Sequence, residues 1–280
     1  MKTKSFKIVT LMAVLLLTLP ALAAEKMVSQ VFKTPAFHSI STSSGWDVVL
    51  TQGNEFAVRA EAIQKHLDNL SIEVKSNTLY VNNKQQIKFS FNFFSRNNTR
   101  KRIYITLPEL KSVSASGGSD VSATAPFKVD NITFSLSGGS DLKNFTLQCN
   151  EFNCRQSGGS DSEVSFVGVN KITVMASGGS DVALKNISAK SVSVGLSGGS
   201  DGLFTGATDY FLVSASGGSD VDAVKLAAQT CKAGFSGGSD GTLNVEKELK
   251  VSVSGGSDVR YKGNAALQKN SDKSSDVKRI

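Results

Sequence analysis

Proline, cysteine, histidine and tryptophan are all scarce in these 280 residues, numbering four, three, two and one. Three cysteines cannot build a disulfide-stapled scaffold. The two histidines, His38 and His66, have no metal-ligand spacing around them and read as surface residues rather than catalytic ones. So few prolines beside 25 glycines exclude collagen. With 40% hydrophobic and only 20% charged residues, wholesale disorder is excluded as well. The length suits one large or two ordinary domains with a real core. The glycine count is the anomaly to be explained.

Residues 1–23 read as a secretory signal peptide. Lys2, Lys4 and Lys7 begin it, and an uncharged apolar stretch runs from Ile8 to Leu19. Ala21-Leu22-Ala23 supplies the small-x-small pattern for cleavage, which would leave Ala24 as the first mature residue. The apolar run is short for a membrane span of about 20 residues, and no cysteine near the site suggests a lipid anchor. The mature chain is therefore expected to be exported, with no membrane span. It would carry 28 basic and 24 acidic residues, a formal charge of +4. That is too mild to suggest a nucleic-acid partner.

The glycines fall into a repeat. Ser-Gly-Gly-Ser-Asp occurs eight times, starting at Ser116, Ser137, Ser157, Ser177, Ser197, Ser216, Ser236 and Ser254, at intervals of 18 to 21 residues. A degenerate ninth copy is Asp272-Lys273-Ser274-Ser275-Asp276. Sixteen of the 25 glycines thus lie in these motifs. Three residues before each motif stand Val113, Phe134, Cys154, Val174, Val194, Val213, Ala233 and Val251, and apolar columns also stand five and one before. The columns between them are mostly small or polar, so a strand with one buried face enters each turn. Val121, Leu142, Val182, Val221 and Val259 begin a second strand after it.

One such unit cannot bury its own apolar columns, but stacked units can, with parallel neighbours completing the backbone hydrogen bonds. The chain is therefore expected to be all-β, a right-handed parallel β-helix with coils of about 20 residues. A β-propeller would need blades of about 40 residues. The paired glycines mark a corner requiring positive φ, and the adjoining aspartate suits acceptance of turn N–H groups. A single domain over 24–280 is expected, with a β-rich cap over 24–110, coils over 111–262 and a degenerate last coil over 263–280. Within the cap, Gly45–Asn54 reads as a strand followed by a turn, and Phe56–Ala60 as the returning strand. Glu61–Leu70 reads as a short helix, and Ser71–Lys75 with Thr78–Val81 as a hairpin.

Trp46-Asp47-Val48-Val49-Leu50-Thr51-Gln52-Gly53, Ile103-Tyr104-Ile105-Thr106-Leu107-Pro108-Glu109-Leu110 and the Ser-Gly-Gly-Ser-Asp-Val coils resemble the head GIN domain family of auto-transporter adhesins. The resemblance spans roughly residues 29–262. It implies an exported, β-helical envelope protein acting as a binding or structural module. A polysaccharide or another envelope protein is the expected partner.

Chemistry is thinly represented. Asp120, Asp141, Asp161, Asp181, Asp201, Asp220, Asp240 and Asp258 should form a ladder along one edge, offset by turn hydrogen bonds and solvent or bridged by cations or basic partner groups. The alternative function is a β-helical polysaccharide lyase or hydrolase, which needs a paired acid and base. Glu163 and Asp222 interrupt the pattern but are scattered. No catalytic residue, cofactor or metal ligand is assigned. Cys154 and Cys231 fall in inward columns as small core residues, and Cys149 reads as unbridged. Lys84–Arg102 is the distinctive non-repeat segment. Phe89, Phe91, Phe93 and Phe94 fit a buried strand face, while Arg96, Arg100, Lys101 and Arg102 are the candidate ligand surface if the segment forms an exposed basic loop.

Overall fold

Alternation of inward apolar and outward polar residues carries the described residues through 20 strands, and strand accounts for 69% of those residues against 2% helix. The computed structural model describes residues 26–84 and 100–280. The expected signal segment with its Ala23–Ala24 junction lies outside them, as do Lys88, Arg96 and the four phenylalanines of 89–94.

The first strands are β1 (Met27–Phe32), β2 (Ser39–Thr42), β3 (Asp47–Gln52) and β4 (Ala57–Ile63). Helix α1 (Gln64–Asn69) follows, then β5 (Leu70–Lys75), β6 (Thr78–Asn83) and β7 (Arg102–Leu107). The coil region opens with β8 (Ser112–Ala115), β9 (Val121–Ala123), β10 (Phe127–Lys128) and β11 (Asn131–Ser137). Long strands then run from one turn to the next: β12 (Leu142–Ser157), β13 (Ser162–Ser177), β14 (Val182–Ser197), β15 (Gly202–Ser216), β16 (Val221–Ser236) and β17 (Gly241–Ser254). The last are β18 (Asp258–Lys262), β19 (Ala266–Ser271) and β20 (Asp276–Arg279).

Successive long strands pair in parallel, with Phe152 beside Ile172, Ile172 beside Val192 and Val192 beside Phe211. This is the expected parallel β-solenoid. The segment returning from one face to the next is not a separate loop. It stays in the ladder through bulges such as that between Leu184 and Ile187, where Asn186 adopts φ 56°. Each coil therefore presents three outer faces: post-turn, return and pre-turn. The degenerate ninth copy forms a true coil, since β19 and β20 pair in parallel with β17 and β18.

The cap departs from sequence order. On the pre-turn side the strands lie β5, β6, β2, β8, β11, and on the post-turn side β1, β4, β7, β3, β9. The pair β5–β6 is the expected hairpin. The expected return of Phe56–Ala60 onto the strand of Gly45–Asn54 is not formed, because β7 sits between β3 and β4. The reason is burial: β7 places Ile103, Ile105 and Leu107 inside, in line with Val48 and Leu50. Antiparallel β4 and β1 then cover the edge that parallel β7 would leave exposed.

One apolar cluster runs from Phe37 to Val277 through cap and coils. Its volume is balanced between columns. A Cβ on Gly202 would lie 2.6 Å from the Phe204 ring, and one on Gly241 would lie 2.4 Å from that of Phe235. Those rings occupy the space that Val182 and Val221 fill in neighbouring coils. Cys149, Cys154 and Cys231 are free and buried. His38 is not a simple surface residue: it is half-buried, and its Nδ1 is enclosed without a partner.

Candidate functional site

The turn edge is held by two hydrogen-bond ladders of opposite sense. The backbone N–H of each motif's second serine donates to the Oγ of its counterpart one coil later: Ser119 to Ser140 (3.0 Å), Ser180 to Ser200 (3.2 Å), Ser219 to Ser239 (3.0 Å). The N–H of each aspartate donates instead to the carboxylate one coil earlier: Asp141 to Asp120, Asp181 to Asp161 and Asp220 to Asp201, each at 3.1 Å. The serines are fully buried. Both ladders reach the degenerate coil, where Ser275 accepts from Ser257 and Asp276 donates to Asp258. Asp272 there accepts the Gly255 N–H and the hydroxyls of Ser275 and Ser274, which hold its carboxyl down at about 2.

These turns are where sequence reasoning missed the most. The serine ladder was unassigned, although invariance of that serine in eight copies was its signal. A further turn also went unread. Ser43-Ser44-Gly45-Trp46-Asp47 stacks directly on Ser116–Asp120, with φ 65° at Ser44 and 68° at Gly45. Trp46 takes the serine position and donates its N–H to Ser119 Oγ at 3.1 Å, while Asp47 Oδ1 accepts from Asp120. Ser43, Gly45 and Asp47 retain three of the five motif residues, a signal legible only once the pairing is known.

On the post-turn face, Lys143 bridges two rungs of the aspartate ladder. Its ammonium lies 2.8 Å from Asp120 Oδ2 and 2.9 Å from Asp141 Oδ2. Those two carboxylates hold its pKa well above the usual lysine value. Farther along, the same outward column carries Glu163, Ala183, Leu203 and Asp222. Glu163 and Asp222 are thus three coils apart, about 14 Å by rung spacing. Glu163 is paired with Lys185 at 2.5 Å, and Asp222 accepts the Val224 N–H and the Thr242 hydroxyl. They do not form the acid–base pair that glycoside hydrolysis uses. Among the described residues, no group of three or more His, Cys, Asp or Glu converges as a metal site would.

The candidate basic surface is divided by the structure. Arg100 is exposed. Lys101 is committed: its ammonium donates to the Ser44 carbonyl and stands 5.7 Å above the Trp46 ring, and burial lowers its pKa. Arg102 faces outward from β7, and its guanidinium donates to the Tyr104 hydroxyl at 3.4 Å. Arg59 lies 4.1 Å over the same Tyr104 ring and pairs with Glu61. Arg96 lies outside the described residues.

Among the described residues, shallow grooves follow the rod axis on all three faces. The post-turn groove, about 560 Å³, is lined by ladder aspartates with Leu142, Ala183 and Leu203. The pre-turn groove, about 660 Å³, is lined mainly by serines with Arg155 and Met175. The return-face groove is about 720 Å³ and is rich in amide side chains. Among the described residues no helix is long and apolar enough to cross a membrane.

The family model described as "Putative auto-transporter adhesin, head GIN domain" matches residues 36–201 and 165–265. No curated protein matches the sequence. Solved structures share the fold, three of them as follows. A putative adhesin from Parabacteroides distasonis is 18% identical with a TM-score of 0.69, covering 91% of this chain and 97% of its own. A putative adhesin from Parabacteroides merdae is 17% identical with a TM-score of 0.68, over 91% and 96%. A second Parabacteroides distasonis protein, named a putative lipid binding protein, is 16% identical with a TM-score of 0.67, over 91% and 96%. With two motif matches that together span most of a solenoid built from Ser-Gly-Gly-Ser-Asp turns, the chain belongs to the head GIN domain family.

Proposed function

We propose that this protein is an exported, non-enzymatic binding rod of the cell envelope, an adhesin that presents its faces to a polysaccharide or to another envelope protein. The observation carrying this reading is the use made of the repeated carboxylates. Seven of the eight ladder aspartates accept the N–H of the next motif aspartate, and Asp258 accepts that of Asp276. They serve the scaffold, while the grooves run along several coils and suit an extended ligand. Family membership supports an envelope location, and the expected signal segment of 1–23 supports export. At the N-terminal tip, Arg100 and Arg102 form a second contact surface for anionic groups, and Lys101 serves as its anchor.

The test is adhesion of the mature protein to isolated bacterial envelopes, before and after periodate or protease treatment, with reducing-sugar release followed alongside. Saturable adhesion abolished by either treatment, without sugar release, supports the reading. Absence of adhesion, or sugar release proportional to protein, overturns it.

A further inference from the structure

The return face differs from the other two in its chemistry. Its outer ridge carries Asn150, Asn170, Lys190, Asp209 and Gln229, one from each of five consecutive coils. The neighbouring column begins with Gln148 and is flat over the next four coils, with Gly168, Ser188, Ala207 and Ala227. Asn170 Nδ2 donates to Asn150 Oδ1 at 3.2 Å, which fixes both amides and leaves the Asn150 amide N–H and the Asn170 carbonyl turned to solvent. Lys190 and Asp209 make no ion pair, although they occupy adjacent coils. The post-turn groove, by contrast, is a row of carboxylates.

We propose that the return-face groove binds a neutral, unbranched polysaccharide whose chain lies along the rod. This rests on the adhesin reading and names its ligand class and face. A sugar ring offers hydroxyls that both donate and accept, and the side-chain amide is the neutral group that answers both. In four of the five coils the column residues are no larger than serine, which lets a ring approach the sheet closely there, and Gln148 adds an amide at the end of the column. Coils repeat every 4.8 Å or so, about the length of one pyranose, so each coil can meet one sugar in the same way. Charge complementarity separates the faces. The return-face groove has only Lys128, Lys190 and Asp209 as charged lining, so it holds no row of like charges to select a charged chain, whereas the aspartate ladder repels an anionic one. An envelope protein as occupant is an outcome of the test.

The experiment measures binding of the mature full-length protein to cellohexaose, mannohexaose, xylohexaose and maltohexaose, with polygalacturonate as the anionic probe. Ala207→Arg fills the flat column, and Gln229→Ala removes one ridge amide; circular dichroism and melting temperature confirm that both fold. The expected result is saturable binding of at least one neutral hexasaccharide. Ala207→Arg should weaken it at least tenfold, or about 1.4 kcal/mol, with a smaller loss for Gln229→Ala. No binding to any neutral probe, binding to polygalacturonate alone, or neutral binding indifferent to Ala207→Arg overturns the proposal. If Ala207→Arg still adheres to envelopes like the parent protein, or only protease abolishes adhesion, this inference fails while the broader adhesin reading stands.

Discussion

The backbone N–H of Asp181 donates to Oδ1 of Asp161, one coil earlier, at 3.1 Å. One residue before, the N–H of Ser180 points the other way, to Ser200 Oγ. Each turn is thereby tied to both neighbours by side chains, and the motif's serine and aspartate have separate tasks.

Those tasks predict different tolerances. Asp161→Asn keeps the acceptor oxygen and relieves repulsion between stacked carboxylates, so its stability should stay within about 0.5 kcal/mol of the parent. Asp161→Ala removes the acceptor for a partly exposed N–H and should cost about 1–2 kcal/mol. Ser180→Ala strands the enclosed Ser160 N–H and also loses the bond to the Ser177 carbonyl, so about 1–3 kcal/mol is expected. Urea denaturation of the three variants checks the order. Equal loss for Asp161→Asn and Asp161→Ala would refute the acceptor role.

The two glycines of a turn should also differ. Gly198 and Gly199 both have positive φ, 70° and 79°. A Cβ on Gly198 would lie 3.1 Å from the Gly178 nitrogen of the preceding coil, whereas one on Gly199 meets nothing within 4 Å. Asparagine tolerates the left-handed region. Gly199→Asn should therefore cost less than about 1 kcal/mol, and Gly198→Asn about 2 kcal/mol or more. Ser44 stands in the first-glycine position of the outermost such turn, in keeping with this asymmetry. Melting temperatures falling by the same amount in both variants would contradict it.

Asp47 provides a pH test. Burial raises its carboxyl pKa, outweighing the Asp120 N–H that it accepts. A carboxylate with a raised folded-state pKa opposes folding once the unfolded chain ionises. Its penalty is absent below the unfolded value near 3.8, grows as pH rises through the folded value, and is complete at neutral pH. Asp47→Asn keeps the acceptor and removes the charge. It should raise the melting temperature at pH 7 and leave it unchanged at pH 3; a larger gain at pH 3 than at pH 7 would reverse the assignment.

The thiols should be inert. Burial pushes Cys154 and Cys231 up to about 12 and, with help from Asp130, Cys149 up to about 11. Thiolates are the reactive species, so iodoacetamide at pH 8 should label none of the three in the folded protein and all three in guanidinium. Mass spectrometry of the native sample reads this directly, and prompt labelling of Cys154 would contradict its place in the core.

Much of this architecture is written in short-range pattern. Period-two columns around Val113, Phe134 and Val174 announce a one-sided strand, and the invariant pentapeptide announces the corner. The exchange of Phe204 against Gly202 was not legible, because it depends on two columns meeting inside the coil. Nor was the cap: β7 comes to rest between β3 and β4 through pairing that local alternation does not encode. Trp46 hid its turn by replacing the ladder serine with the largest side chain, and its ring then gave Lys101 a seat. That seat removed Lys101 from the basic surface that its sequence neighbours Arg100 and Arg102 suggested. The return-face ridge was invisible for a related reason, since Asn150, Asn170, Lys190, Asp209 and Gln229 differ in type and share only a register.

The central claim is that the aspartate edge builds the rod while another face binds. Side-by-side retention on isolated envelopes of an Asp161→Asn/Asp181→Asn double variant and of Ala207→Arg tests it most directly. The account predicts that the double variant is retained like the parent protein and that Ala207→Arg, equally well folded, is retained at least tenfold less. Loss of retention in the aspartate variant, with Ala207→Arg unaffected, would contradict it.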